Sequence, residues 1–175
     1  RPIIIAGGGS LGCGDLLAKI AESIDAPIVL TGNAKGEVPS HHTLCVGSAL
    51  IIARVQEEIE QSDVVLVVGS ELSDADLYNG GRALNFSGKV IRIDIDAEQI
   101  SRRVVPEIAI VASANLALTP IASELSRLGV KSSNSGESRA TNLRLSARSG
   151  VRQDVLPWIV AIEHAFLKEL SLQLI

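Results

Sequence analysis

Methionine is absent from this chain, and its whole aromatic complement is one Trp, one Tyr and two Phe in 175 residues. With so few rings to fill space, a core must be assembled from Val, Ile, Leu and Ala. That palette suits a buried parallel sheet under Ala- and Leu-rich helices. The same scarcity removes the stacking platforms of nucleic-acid binders. A formal net charge of −4, without a Lys/Arg stripe, removes their electrostatic footprint as well, so nucleic acid is excluded as a partner. The two cysteines, Cys13 and Cys45, stand far apart and outside any CxxC, so reduced buried thiols are expected and a disulfide framework is not. Apolar runs stop at strand length, which leaves no membrane span. No signal peptide precedes the first strand, and the expected location is cytoplasmic. The missing methionine extends to position 1, where Arg1-Pro2 leads straight into a strand. A piece from the middle of a longer polypeptide is the expected origin; processing, or numbering from a tag, is the alternative.

What is present is a regular alternation. Pro2-Ile3-Ile4-Ile5-Ala6 is a continuous apolar run that reads as a central strand buried on both faces. Leu16, Leu17, Ile20, Ala21 and Ile24 recur at helical spacing after it, until Asp25-Ala26-Pro27 stops the helix. Further strands are expected over 27–30, 63–68, 89–96 and 108–111, and further helices over 49–59, 98–103 and 114–128. Residues 31–43 and 70–87 read as polar loops at the carboxyl ends of strands. The fold class is therefore α/β: a single doubly wound parallel sheet of Rossmann-like nucleotide-binding architecture. Residues 1–129 form this domain. Residues 130–150, rich in Ser, Asn and Arg, read as a linker, and 151–175 as a helical segment leading towards a following domain, with its helix over 157–172.

Gly7-Gly8-Gly9-Ser10-Leu11-Gly12 fits GxGxxG between a strand and a helix, where glycines let backbone approach a diphosphate and a helix N-terminus presents N–H groups. The acidic residue that an NAD site wants at the end of the second strand is replaced by Leu30-Thr31-Gly32-Asn33. An adenine nucleotide and a purely structural turn both stay open. Glu71, Asp74 and Asp76 could suggest a metal, but a solvated acidic loop explains them. Asp94 and Asp96 could meet a ribose, or Asp96 could cap the turn that follows. His41-His42 lack a metal partner, and His164 stands alone. Neither a nucleophile elbow nor a Walker loop occurs. No catalytic and no metal-binding residue is expected. A vestigial or ADP-type nucleotide site would use Gly7, Gly8, Gly9, Thr31, Gly69, Asp94 and Asp96.

The order of these motifs resembles one family. The glycine turn is followed by Ala26-Pro27-Ile28-Val29, Asn33-Ala34-Lys35-Gly36-Glu37-Val38-Pro39 and Val46-Gly47-Ser48. Then come the run from Ser62 through Gly69 to Asp74 and the run from Gly88 to Asp96. From Arg1 to about Leu128 the chain is similar to the middle domain of thiamine-diphosphate enzymes such as acetolactate synthase and the 2-oxo-acid decarboxylases. The resemblance implies a parent enzyme with thiamine diphosphate and Mg²⁺ held by flanking N- and C-terminal catalytic domains of the same polypeptide, in a homo-oligomer. The first domain would supply a glutamate to the thiamine ring and the third a GDG-type metal motif, which this chain lacks. Some middle domains of the family bind FAD, others ADP or nothing. Where flavin-binding relatives carry Arg-Phe-Asp-Asp, this chain has Glu71-Leu72-Ser73-Asp74, which replaces a cation by a carboxylate. Asp96-Ala97 also departs from the family's frequent Asp-Pro. The expectation is a degenerate site without FAD, with a stand-alone NAD- or ADP-binding module, or an oxidoreductase, as the alternative.

Overall fold

The computed structural model describes residues 1–78, 83–129 and 135–149, together with 157, 158, 160, 161 and 164. Strand β1 (Pro2–Ala6) lies at the centre, because its run of apolar residues can be buried on both faces. Helix α1 (Gly14–Ile24) leads to β2 (Ile28–Leu30), and β3 (Cys45–Gly47) to α2 (Ala53–Glu60) and β4 (Val64–Val68). A short helix α3 (Asp74–Leu77) lies on the passage to β5 (Lys89–Asp94). Strand β6 (Ile108–Val111), α4 (Ala114–Leu128) and α5 (Gly136–Ser149) complete the order.

All pairings are parallel, in the spatial order β3-β2-β1-β4-β5-β6. The sequence order reverses between β1 and β4, so the crevice beyond their carboxyl ends is the switch point at which such sheets take ligands. Side chains alternate across the sheet. Ile4, Leu66 and Ile93 meet Leu17, Ile20 and Leu118 of α1 and α4 on one face. Ile3, Ile5, Val65 and Val67 meet Val55 and Ile59 of α2, and Ala140 and Leu143 of α5, on the other. Each large aliphatic side chain so buried contributes about 1.5–3 kcal/mol.

Three local expectations change. Strand β3 is only three residues long, too short to leave a periodic signature. Where a helix over 98–103 is expected, the chain makes hydrogen-bonded turns instead, and Arg103 adopts a left-handed conformation at φ 73° that a helix cannot contain. The stretch expected to be a linker is, over Gly136–Ser149, a packed helix.

Four contacts integrate α5. The Asp25 carboxylate accepts hydrogen bonds from the Ser135 and Gly136 N–H groups at 2.8 and 2.9 Å, capping the helix from a residue 111 positions away from Gly136. Arg139 Nε donates to Glu58 at 2.7 Å. Arg144 donates to the carbonyls of Thr43 and Cys45 at 2.8 Å, closing the β3 edge of the sheet. Ala140 and Leu143 are buried in the core. The helix expected over 157–172 lies mostly outside the described residues; those described there are helical and exposed.

Candidate functional site at the carboxyl edge of the sheet

The crevice at the switch point is built from four strand-ending turns. Gly7–Gly9 follows β1, Thr31–Asn33 follows β2, Gly69–Glu71 follows β4 and Asp94–Asp96 follows β5. Two adjoining hollows occupy it. One, of about 170 Å³, is lined by Gly8, Gly9, Thr31 and Gly69 together with Glu71 and Asp76. The other, of about 450 Å³, is lined by Gly9, Gly69, Glu71, Asp94, Asp96 and Gln99. Six of the seven expected site residues therefore line one crevice. Gly7 does not line it; it lies beneath, donating its N–H to the Val68 carbonyl at 2.9 Å.

The glycines serve each other. A Cβ on Gly7 would collide with the Gly69 carbonyl oxygen. One on Gly69, whose φ is +55°, would lie 2.6 Å from Gly9 Cα. The Gly9 N–H donates to the Gly69 carbonyl at 2.9 Å, so this donor is already used. Nor does α1 open onto the turn. Residues Gly8–Ser10 form one tight 3₁₀ turn and the helix starts only at Gly14. There a Cβ would strike the carbonyl oxygen of Glu37, which covers the helix end. The glycine pattern thus secures close backbone packing between two turns.

Charge points the same way. Glu71, Asp76, Asp94 and Asp96 line the two hollows, and no Lys or Arg is among their described lining residues. At an effective dielectric of about 20, each carboxylate roughly 6 Å from a phosphate charge opposes it by about 3 kcal/mol. A dinucleotide diphosphate therefore finds no counter-charge among these lining residues, and their carboxylates do not fit it.

The turns themselves are firmly held. Arg92 on β5 is fully buried, a position that alternation of the strand alone could not distinguish. Its Nη1 donates to the Arg102 carbonyl and its Nη2 to the Ser70 carbonyl, both at 2.7 Å. Burial pulls its pKa below the ordinary arginine value, and Asp94, at 3.8 Å, opposes that shift. Leu72 takes a left-handed φ of 50°, a strained choice for a branched side chain, and is held by complete burial and by its N–H bond to Ser70 Oγ at 3.1 Å. Asp94 Oδ1 accepts from the Asp96 N–H at 3.0 Å, and Asp96 Oδ1 accepts from the Glu98 N–H at 2.8 Å, so both carboxylates shape the turn after β5.

The other polar motifs are engaged locally. Asp74 pairs with Arg103 at 2.7 Å, and Asp76 accepts from Ser73 Oγ at 2.9 Å. His42 Nδ1 accepts from the Leu44 N–H, which leaves the proton on Nε2 to face Glu22 at 3.1 Å. Cys13 and Cys45 are free and buried, and burial raises both thiol pKa values. Among the described residues, no three His, Cys, Asp or Glu side chains gather into a metal site, and no helix is long and apolar enough to cross a membrane.

Residues 1–121 match the family described as thiamine pyrophosphate enzyme, central domain. A probable 2-ketoarginine decarboxylase of Pseudomonas aeruginosa is 34% identical over 147 residues, covering 84% of this chain and 25% of that protein. A probable acetolactate synthase large subunit of Methanococcus aeolicus is 31% identical, with 71% and 21% covered. A 2-hydroxyacyl-CoA lyase of Dictyostelium discoideum is 36% identical, with 67% and 20% covered. The chain thus spans about a quarter or less of the length of these curated relatives.

Proposed function

Because this chain belongs to the central-domain family of thiamine pyrophosphate enzymes, we propose that it is the non-catalytic middle module of a longer enzyme that uses thiamine diphosphate and Mg²⁺ on 2-oxo acids. In this reading, residues 1–129 are the module and the following helices lead towards the next domain. Catalytic domains of the same polypeptide flank it on both sides, in a cytoplasmic homo-oligomer. Thiamine diphosphate, bound by those domains, supplies the decarboxylation or carboligation chemistry. The residues of this chain supply a rigid sheet on which the flanking domains are positioned.

One observation carries the reading. A crevice stands at the switch point of the sheet, but Gly7 and Gly9 are packed against Gly69 and its lining is acidic. A crevice of that kind supports a role in architecture, without bound FAD. An ADP-type nucleotide would have to rely on ribose hydroxyls donating to Asp94 and Asp96, with its phosphates directed out to solvent. A stand-alone NAD-binding module is disfavoured, because Thr31 replaces the expected acid and carboxylates line the crevice that would take the diphosphate.

Two measurements test the proposal. The isolated chain, given pyruvate with thiamine diphosphate and Mg²⁺, is expected to release no CO₂; turnover would refute the scaffold role. Thermal denaturation with NAD, ADP or FAD is expected to be unshifted. A bound ligand at a hundred times its Kd would add about 2.7 kcal/mol of stability. A shift with NAD alone would favour the stand-alone reading.

A further inference from the structure

The two edges of the sheet end differently. At β3, Arg144 of α5 donates to the Thr43 and Cys45 carbonyls, so that edge is occupied. At β6, the last strand of the order, no described strand pairs with the outer side. A parallel sheet is ordinarily covered on both faces. Yet Ile108 and Val111 of β6 are 49% and 55% exposed, and alternation turns them to opposite faces. Edge strands are commonly guarded by Lys, by proline or by a bulge, and β6 contains none of these. From Ile108 to Ser123 the chain carries no charged residue at all.

That neutrality favours a second copy as the occupant. The carboxyl edge, with its carboxylates, would repel a like chain of net charge −4, whereas β6 and the first turns of α4 would not. A second β6 laid antiparallel about a two-fold axis through Ile110 sets Ala109 opposite Val111 of the other copy, and Ile108 opposite Ala112. Small side chains then meet large ones on each face. Glu107, which pairs with Lys89 at 3.7 Å, falls opposite Ser113, so no like charges meet. A standard interface buries about 800 Å² on each partner, more than a four-residue strand offers. The flanks extend the contact. The same register brings the exposed Val105 of each copy level with the turn into α4 of the other, where Leu116 is 72% exposed.

We propose that β6 is the surface at which a second copy of this chain adds its own β6 antiparallel, joining the two sheets across a two-fold axis. The inference rests on the homo-oligomer of the proposed function and names a contact surface for it.

Cysteine pairing in the whole natural polypeptide tests it. Residues directly opposite in an antiparallel pair lie about 4.5–5.5 Å apart, within reach of a disulfide, and diagonal neighbours about 7–8 Å apart, beyond it. Ala109→Cys and Val111→Cys, co-expressed as two single variants, are expected to form a disulfide-linked dimer on mild oxidation. Either variant alone is expected not to, and the native Cys13 and Cys45 are buried. No linked dimer on co-expression overturns the inference, as does an equal yield from either variant alone. Val111→Lys, at an exposed position, is expected to halve the particle mass in sedimentation equilibrium. An unchanged mass overturns the inference and leaves the homo-oligomer standing; a monomeric wild-type protein overturns both. Turnover of a 2-oxo acid by the wild-type protein is a separate readout. A protein that pairs through β6 but is inert with thiamine diphosphate fails only the middle-module reading.

Discussion

Gly69 and Gly12 both hold positive φ, yet they answer to different physics. Gly69 is pressed against Gly9 and Ser10, whereas a Cβ on Gly12 would meet open space. Gly12→Ala is therefore expected to cost about 1 kcal/mol, the conformational penalty alone. Gly69→Ala is expected to cost about 3 kcal/mol or more, because backbone must move. Equal losses in urea unfolding would contradict the interlocked turns. Arg92→Ala removes two charge-assisted bonds and strands the Ser70 and Arg102 carbonyls, for an expected loss of about 3 kcal/mol in the same assay. Glu58 offers a pH test. Burial alone would raise its carboxyl pKa, but hydrogen bonds and charge from Arg1 and Arg139 outweigh this and hold it below the usual value. A folded pKa below the unfolded one, about 4.3, gives stabilisation that is complete above that pH and lost as pH falls through the folded value. Glu58→Gln is thus expected to lower stability near pH 7 by about 2 kcal/mol, with the difference from wild type closing below about pH 4. A difference independent of pH would contradict the assignment.

Helix α5 is the element on which expectation and structure part most clearly. If it is an integral layer of the domain, Leu143→Ala should cost about 2–4 kcal/mol and Asp25→Ala about 1–2 kcal/mol, measured by urea unfolding. Losses under about 0.5 kcal/mol for both would mean that α5 merely rests on the sheet. The reason it escapes a sequence reading is physical. Its apolar contribution to the core is two buried side chains, Ala140 and Leu143, with Ala147 packed against them at the edge, and the rest of its anchorage is polar and remote. Asp25, Glu58 and the Thr43 and Cys45 carbonyls lie about 80 to 110 residues away in sequence, and no local window contains them. By contrast, β1, β4, β5, β6, α1 and α4 carry their own evidence in unbroken or periodic apolar residues, and all appear close to the expected positions. The crevice was legible for the same reason, since its turns end those strands. What the glycines do there was not, because GxGxxG reads alike whether its backbone faces a phosphate or another turn.

For the molecule as a whole, the six-stranded parallel sheet carries helices on both faces, and an open hollow of about 790 Å³ lies at its amino edge beside the segments leading into β4, β5 and β6. Among its described residues, no three His, Cys, Asp or Glu side chains gather into a metal site. Purified full-length protein is also expected to lack the flavin absorption near the visible blue, given the acidic lining of the crevice. The most direct measurement is CO₂ release from a 2-oxo acid, with thiamine diphosphate and Mg²⁺, by the full-length polypeptide and by this chain side by side. Turnover by the former and none by the latter is the predicted result; turnover by this chain alone, or an inert full-length protein, would contradict it.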